Sequence, residues 1–200
     1  MRKIIFILIF IPIVSFSQIF EKKHQQLILR GATLINSTGA PPLGPVDIVI
    51  ENNIITKIQN VGYPGVPINN SRRPKLSSGG VEIDCEGSYI LPGFIDTHGH
   101  IGGRSQGASP EYVFKLWMAH GITSIREPGG SLSKNLKLGL KNKSKMNEII
   151  APRIYSFSTF NSRVKSPDEA REWVRNNAKE GSDGIKFFGA PPEIMEAAIK

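Results

Sequence analysis

His98 and His100 stand one residue apart at the end of an apolar run, LPGFIDTHGH. Two imidazoles so placed can bind one Zn2+ or a similar divalent cation through their ring nitrogens. If the run is a strand, side chains two apart share a face, so Asp96, His98 and His100 point one way and Gly99 the other. Asp96, one step deeper, is then an acceptor able to fix a ring. Gly99 leaves the backbone room to turn. The tripeptide alone is a weak signal, because paired surface histidines are common, so the surrounding elements must decide.

Three other groups have usable chemistry. Lys186, in GIKFF, lies between Ile185 and Phe187. A lysine on an inner sheet face is costly unless neutralised or paired, whereas on an outer face it is an ordinary surface residue. Arg126 and Glu127, in REPGG, fall at a strand end, where they contact substrate or pair with each other; both readings stay open. His120 precedes Gly121 and is expected to face the C-terminal dipole of a helix. No G-x-S-x-G or other nucleophile motif occurs.

The elements that position these residues fall into two rhythms. Residues 25–92 read as β. LILRGATLIN is a strand pair or one bent strand, and in VDIVI Val46, Ile48 and Ile50 share a face. Asn52-Asn53 suits the positive φ of a tight hairpin turn. Residues 61–80, rich in Gly, Pro, Asn and Ser, read as a loop, and VEIDCEGSYIL returns to strand with Cys85 on its buried side. From Gly93 strand and helix alternate. Ser109-Pro110-Glu111, Ser131 and Ser166-Pro167-Asp168-Glu169 are helix starts, and Leu132, Leu136 and Leu140 are the apolar stripe of the second helix. Strand starts recur near 94, 122, 149 and 184, the length of a βα unit, which means a parallel sheet. An open doubly wound sheet and a (β/α)8 barrel both begin this way. The dinucleotide fingerprint is not met, because Gly99, Gly102 and Gly103 have the wrong spacing.

Composition narrows the class. Hydrophobic content of 40% and charged content of 21% are ordinary for a globular protein and exclude a low-complexity chain. Arg2 and Lys3, the apolar residues 4–14, and the small Ser15 and Ser17 form a leader over residues 1–17 with cleavage before Gln18. That run is too short for a spanning helix, which needs ~20 apolar residues. An exported protein, periplasmic or secreted and without stable membrane insertion, is expected. Formal net charge is +8, much of it at Lys134, Lys137, Lys141, Lys143 and Lys145. These lysines read as a solvated helix face rather than a nucleic-acid surface, because no aromatic residues interleave for stacking. One cysteine cannot close an internal disulfide.

YILPGFIDTHGH, with VDIVIENNIITKI and VEIDCEG before it and HGITSIREPGG after it, resembles the amidohydrolase superfamily, nearest its imidazolonepropionase-like and prolidase-like branch. The resemblance runs from about residue 27 to the end. It implies an α/β fold, the N-terminal part of a (β/α)8 TIM barrel (its first four βα units, residues 93–200), preceded by part of a small β-sandwich (residues 18–92). It implies one or two divalent metal ions, zinc first among them, on His98 and His100. It implies Lys186 as a third ligand, converted by CO2 to a carbamate where two ions bind. Asp96 stands behind the ligands, and Arg126 is a candidate substrate contact. The implied activity is hydrolysis of carbon–nitrogen bonds in small amides, cyclic amides or dipeptides by a metal-activated hydroxide. The family's later histidines and catalytic aspartate have no counterpart in 200 residues. The chain is therefore expected to be an N-terminal fragment without catalytic residues of its own, inactive alone. The alternative is a non-catalytic binding protein, or an inactive relic, with the same fold.

Overall fold

The computed structural model describes residues 24–161 and 163–200, and the leader read over residues 1–17 lies outside them. The chain divides into two compact units between Pro92 and Gly93.

The first unit is a five-stranded sheet: β1 (Gln26–Leu34), β2 (Leu43–Glu51), β3 (Ile54–Asn60), β4 (Val81–Asp84) and β5 (Tyr89–Ile90). The order is β3-β2-β1-β4, with β5 also on β1. β1, β2 and β3 pair antiparallel, whereas β4 and β5 run parallel to β1. Asn52 and Asn53, at φ +50° and +67°, make the tight turn between β2 and β3. LILRGATLIN is one bent strand. Its register to β2 slips between Leu29 and Ala32, where Gly31 takes φ +74° and donates its N–H to Asp47 Oδ1 at 2.9 Å. Asp47 is fully buried and also accepts from Arg30 Nη1 at 2.8 Å, with Arg73 Nε 3.5 Å away. Burial lowers the Arg30 guanidinium, but hydrogen bonds to Asp47 and Glu82 outweigh this and leave its pKa raised. Leu34, Val46 and Ile48 form the core, with Ile50 packed beside them on the face expected for VDIVI. Ile54, Ile55 and Ile58 of β3 remain exposed. Cys85 is not inside a strand. β4 ends at Asp84, Ile83 is exposed, and Cys85 is half-buried with its N–H on Arg30 O, because the chain turns away there.

The second unit alternates strand and helix: β6 (Phe94–Asp96), α1 (Pro110–Ala119), β7 (Ile122–Glu127), α2 (Lys134–Lys145), β8 (Arg153–Thr159), α3 (Pro167–Lys179), β9 (Gly184–Lys186) and α4 (Pro192–Ile199). All four strands are parallel, in the order β6-β7-β8-β9. The order never reverses, unlike that of a doubly wound sheet. One core joins Ile101, Phe114, Ile125 and Ile154, and another joins Phe160, Ala170, Ile194, Ala197 and Ala198. Ser109 and Ser166 cap α1 and α3 through their hydroxyls, as their sequences require.

Helix α2 departs from its sequence reading. Its cap is Ser133, which accepts from Leu136 N–H, whereas Ser131 lies before it and accepts from Ser105 N–H. Within this helix Leu136 faces outward, and Lys137 and Ser144 lie in the interior. Lys143 and Lys145 are exposed, as expected of a solvated face, but the other three lysines are not. Lys137 Nζ donates to Phe157 O at 3.4 Å, Lys141 Nζ pairs with Asp183 at 2.7 Å, and Lys134 Nζ bonds Asn177 and Glu180. Ser144 Oγ donates to Pro152 O at 2.7 Å. These polar side chains tether α2 to β8, to α3 and to the turn before β9, while Leu132 and Leu140 of the leucine repeat pack against the Ile101, Phe114, Ile125 and Ile154 core and Leu136 faces out.

Candidate functional site

The strand order brings the predicted residues to one edge of the parallel sheet. β6 stops at Asp96, so His98 and His100 lie just past its C-terminal end. Glu127 closes β7 and Lys186 closes β9, again at C-terminal ends. In open parallel sheets and barrels alike, this is the edge where sites form.

Gly99 is buried between the two histidines, with its N–H on Arg126 O at 3.1 Å. A Cβ there would fall 2.5 Å from Ile125 Cδ1 and 3.0 Å from Trp117 Cζ2. Only glycine lets the turn sit on that core, and the turn sets the histidines side by side. Their ring centroids are 5.7 Å apart and their planes 84° to each other. His98 is exposed and His100 about one-third exposed. Asp96 Oδ1 accepts the His98 backbone N–H at 2.8 Å, so this carboxylate orders the main chain before the rings.

The ring of His100 is held by a residue that sequence reasoning left undecided. Glu127 is 1% exposed. Its Oε1 lies 3.2 Å from His100 Nδ1 and accepts Gly129 N–H at 2.8 Å, and its Oε2 accepts Ile101 N–H at 2.9 Å. Each residue after Glu127 serves this arrangement. Pro128 is fully buried. Gly129, at φ +103°, turns its N–H onto the carboxylate, and a Cβ there would strike Thr159 Oγ1 at 2.3 Å. A Cβ on Gly130 would come within 3.2 Å of Glu127 Oε1 and 3.3 Å of His100 Nδ1. The buried acid followed by Pro-Gly-Gly was the signal in the sequence.

Lys137 is buried and feels the Glu127 charge. Burial drives its ammonium below the ordinary lysine range, and the Glu127 charge works against that shift. A carboxylate facing two backbone donors and a ring, with a cation in its field, is a preorganised acceptor.

Arg126 and Glu127 do not pair. Successive strand residues face opposite ways, so Glu127 follows Ile125 toward the helices and Arg126 takes the other face. The Arg126 guanidinium lies 4.4 Å over the Phe157 ring, and Nη1 donates to Thr97 O at 2.9 Å. Lys186 is half-buried. Its neighbours Ile185 and Phe187 pack on the core of α3 and α4, which puts Lys186 on the face away from the helices. Its Nζ stands 5.2 Å from the ring of the exposed Phe188. His120 caps α1, with Nδ1 2.8 Å from Leu116 O, at the helix end foreseen for it.

No family model matches this sequence. Adenine deaminase 2 of Desulfotalea psychrophila is 50% identical over 44 residues, 22% of this chain and 7% of that protein. N-acyl-D-aspartate deacylase of Alcaligenes xylosoxydans xylosoxydans is 27% identical over 149 residues, 74% of this chain and 24% of that protein. The crystal structure of a prolidase complexed with N-methylphosphonate-L-proline superposes with TM-score 0.60 at 19% identity, over 81% of this chain and 46% of that one. The chain has the amidohydrolase-superfamily fold. It spans a quarter or less of the two curated relatives and about half of the prolidase.

Amidohydrolases with this fold are generally metal-dependent. Two rings on one tetrahedral zinc, each bound at ~2.0–2.1 Å, have centroids roughly 5 Å apart. The 5.7 Å between His98 and His100 needs only a small adjustment. The pair fits as part of a centre. Zinc sites use three or four protein ligands, and among the described residues no group of three or more His, Cys, Asp and Glu could hold an ion. Among the described residues, no helix is long and apolar enough to cross a membrane.

Proposed function

We propose that this chain carries part of the metal centre of a hydrolase acting on carbon–nitrogen bonds in small amides, cyclic amides or dipeptides. The supporting observation is the His98–His100 pair at the C-terminal edge of the parallel sheet, with His100 held by the buried Glu127. We read the four strands and their helices as the first four βα units of a (β/α)8 barrel, and the first unit as part of a β-sandwich.

His98 and His100 would hold a divalent cation, zinc first among candidates, and Lys186 would join them as a carbamate if two ions bind. A cation so held supplies water ionised near neutral pH and polarises a carbonyl. The protein's own residues do the rest. Glu127 orients His100, and Asp96 orders the His98 backbone. Lys186 lies on the sheet face that also carries Arg126 and Phe157, so a carbamate there would need no movement to another face. Arg126 sets a fixed positive charge beside Thr97, where it can meet a substrate carboxylate such as that of a dipeptide. The amide reading draws on the deacylase and prolidase resemblances, and the activity is proposed for a protein in which further donors complete this set. We propose export for that protein, from the leader over residues 1–17.

The test is a hydrolysis assay on the full-length protein with zinc, bicarbonate and a panel of N-acyl amino acids and dipeptides. Turnover that His98→Asn and His100→Asn each abolish is expected. Turnover unchanged by both substitutions would overturn the reading.

A further inference from the structure

We infer that Glu127 is the positioning residue that fixes the His100 ring with its hydrogen on Nδ1, leaving the Nε2 lone pair free for a ligand. The inference rests on the reading of His100 as a metal ligand, but its first test does not need the metal. The two residues lie 27 apart in sequence, at the ends of consecutive parallel strands, so no local turn explains their meeting.

The argument is one of donors and acceptors. A backbone N–H can only donate, and an ionised carboxylate can only accept. Glu127 Oε1 accepts from Gly129 and Oε2 from Ile101, so two donors already hold both oxygens as acceptors. An ionised Glu127 then takes its third hydrogen from His100 Nδ1, 3.2 Å from Oε1. A neutral imidazole that donates from Nδ1 presents an unprotonated Nε2. A carboxylate behind a ligating imidazole also raises its basicity and fixes the plane of its ring. Gly130 keeps this contact open, because any side chain there would press on both partners. The burial of Glu127 prevents water from taking the place of the ring hydrogen.

A purely structural role would give Glu127 only the two backbone donors, and His100 would then be free to carry its hydrogen on either nitrogen. The two roles differ in the tautomer of one ring. The test is 15N NMR of the imidazoles in the metal-free full-length protein, at about pH 8.5, two units above the ordinary imidazole value. His100 is expected as the Nδ1–H form in the wild type, and as a mixture of both forms in Glu127→Gln. A cobalt titration of the same samples is expected to show affinity about 10- to 100-fold weaker in Glu127→Gln, the usual effect of losing such a partner. A wild-type His100 protonated on Nε2 would overturn the inference, as would a Glu127→Gln protein with unchanged tautomer and cobalt affinity. If Glu127→Gln does not fold, the wild-type spectrum still decides. A wild-type protein in the Nδ1–H form that takes up no cobalt supports the positioning by Glu127 and counts against the metal reading alone.

Discussion

Gly130 faces the His100 ring so closely that a single added carbon would sit 3.3 Å from Nδ1. Ile101 and Gly129 hold the Glu127 carboxylate of this pair through their N–H groups. The REPGG turn is thus the mould of one imidazole.

Gly129 and Gly130 are expected to differ on substitution. Gly130→Ala requires only a few tenths of an ångström of give, so it should weaken cobalt binding while the chain stays folded. Gly129→Ala meets both a left-handed φ of +103° and Thr159 Oγ1, and should cost about 1–3 kcal/mol of stability. Urea unfolding followed beside cobalt titration separates the two. Equal stability losses would refute the assignment.

Lys137 should make stability depend on alkaline pH. Burial lowers its folded pKa below the ordinary 10.5, so between the folded value and 10.5 the unfolded chain binds more protons. Stability contributed by this group therefore rises with pH across that window. Lys137→Met should remove this rise and, by deleting a buried cation, leave the protein at least as stable at neutral pH. Thermal melts of both proteins across the alkaline range provide the check, and parallel pH profiles would contradict it.

Asp47 anchors the first unit. Asp47→Ala would strip the acceptor from Arg30 Nη1 and Gly31 N–H and the counter-charge from Arg73 at once, in a fully buried position. A loss of about 3–5 kcal/mol is expected, the range for breaking a buried pair from one side. A urea midpoint close to that of the wild type would show the network to be dispensable.

Lys186 is open to direct observation. With 13C-bicarbonate and zinc, the full-length protein should give a carbamate carbon signal that Lys186→Ala abolishes. A signal unaffected by the substitution would place the carbamate elsewhere, and its absence from the wild type would remove Lys186 from the ligand set.

The legible parts of the sequence were those set by local chemistry. Ser109 and Ser166 each precede a proline and an acid, and each caps its helix. Asn52-Asn53 can adopt positive φ, and the hairpin turns there. The alternation of Ile185, Lys186 and Phe187 gave the face on which Lys186 lies. What escaped depended on contacts far apart in sequence. Leu136 and Lys137 exchanged roles because the partners of Lys137, Phe157 O and the charge of Glu127, come from other strands. Arg126 and Glu127 are adjacent and opposite in charge, so pairing was plausible locally. The strand pleat separates them, and each found a partner more than twenty residues away. Cys85 fitted an alternating strand, but that strand stops one residue earlier.

The central claim is that His98 and His100 bind one divalent ion together. Its most direct measurement is the visible absorption of Co2+ titrated into the full-length wild-type protein and its His98→Asn, His100→Asn and double variants. A shared site predicts one tight cobalt equivalent in the wild type and a similar large loss in all three variants, because either ring alone is a poor ligand. Cobalt binding that survives in the double variant would contradict it.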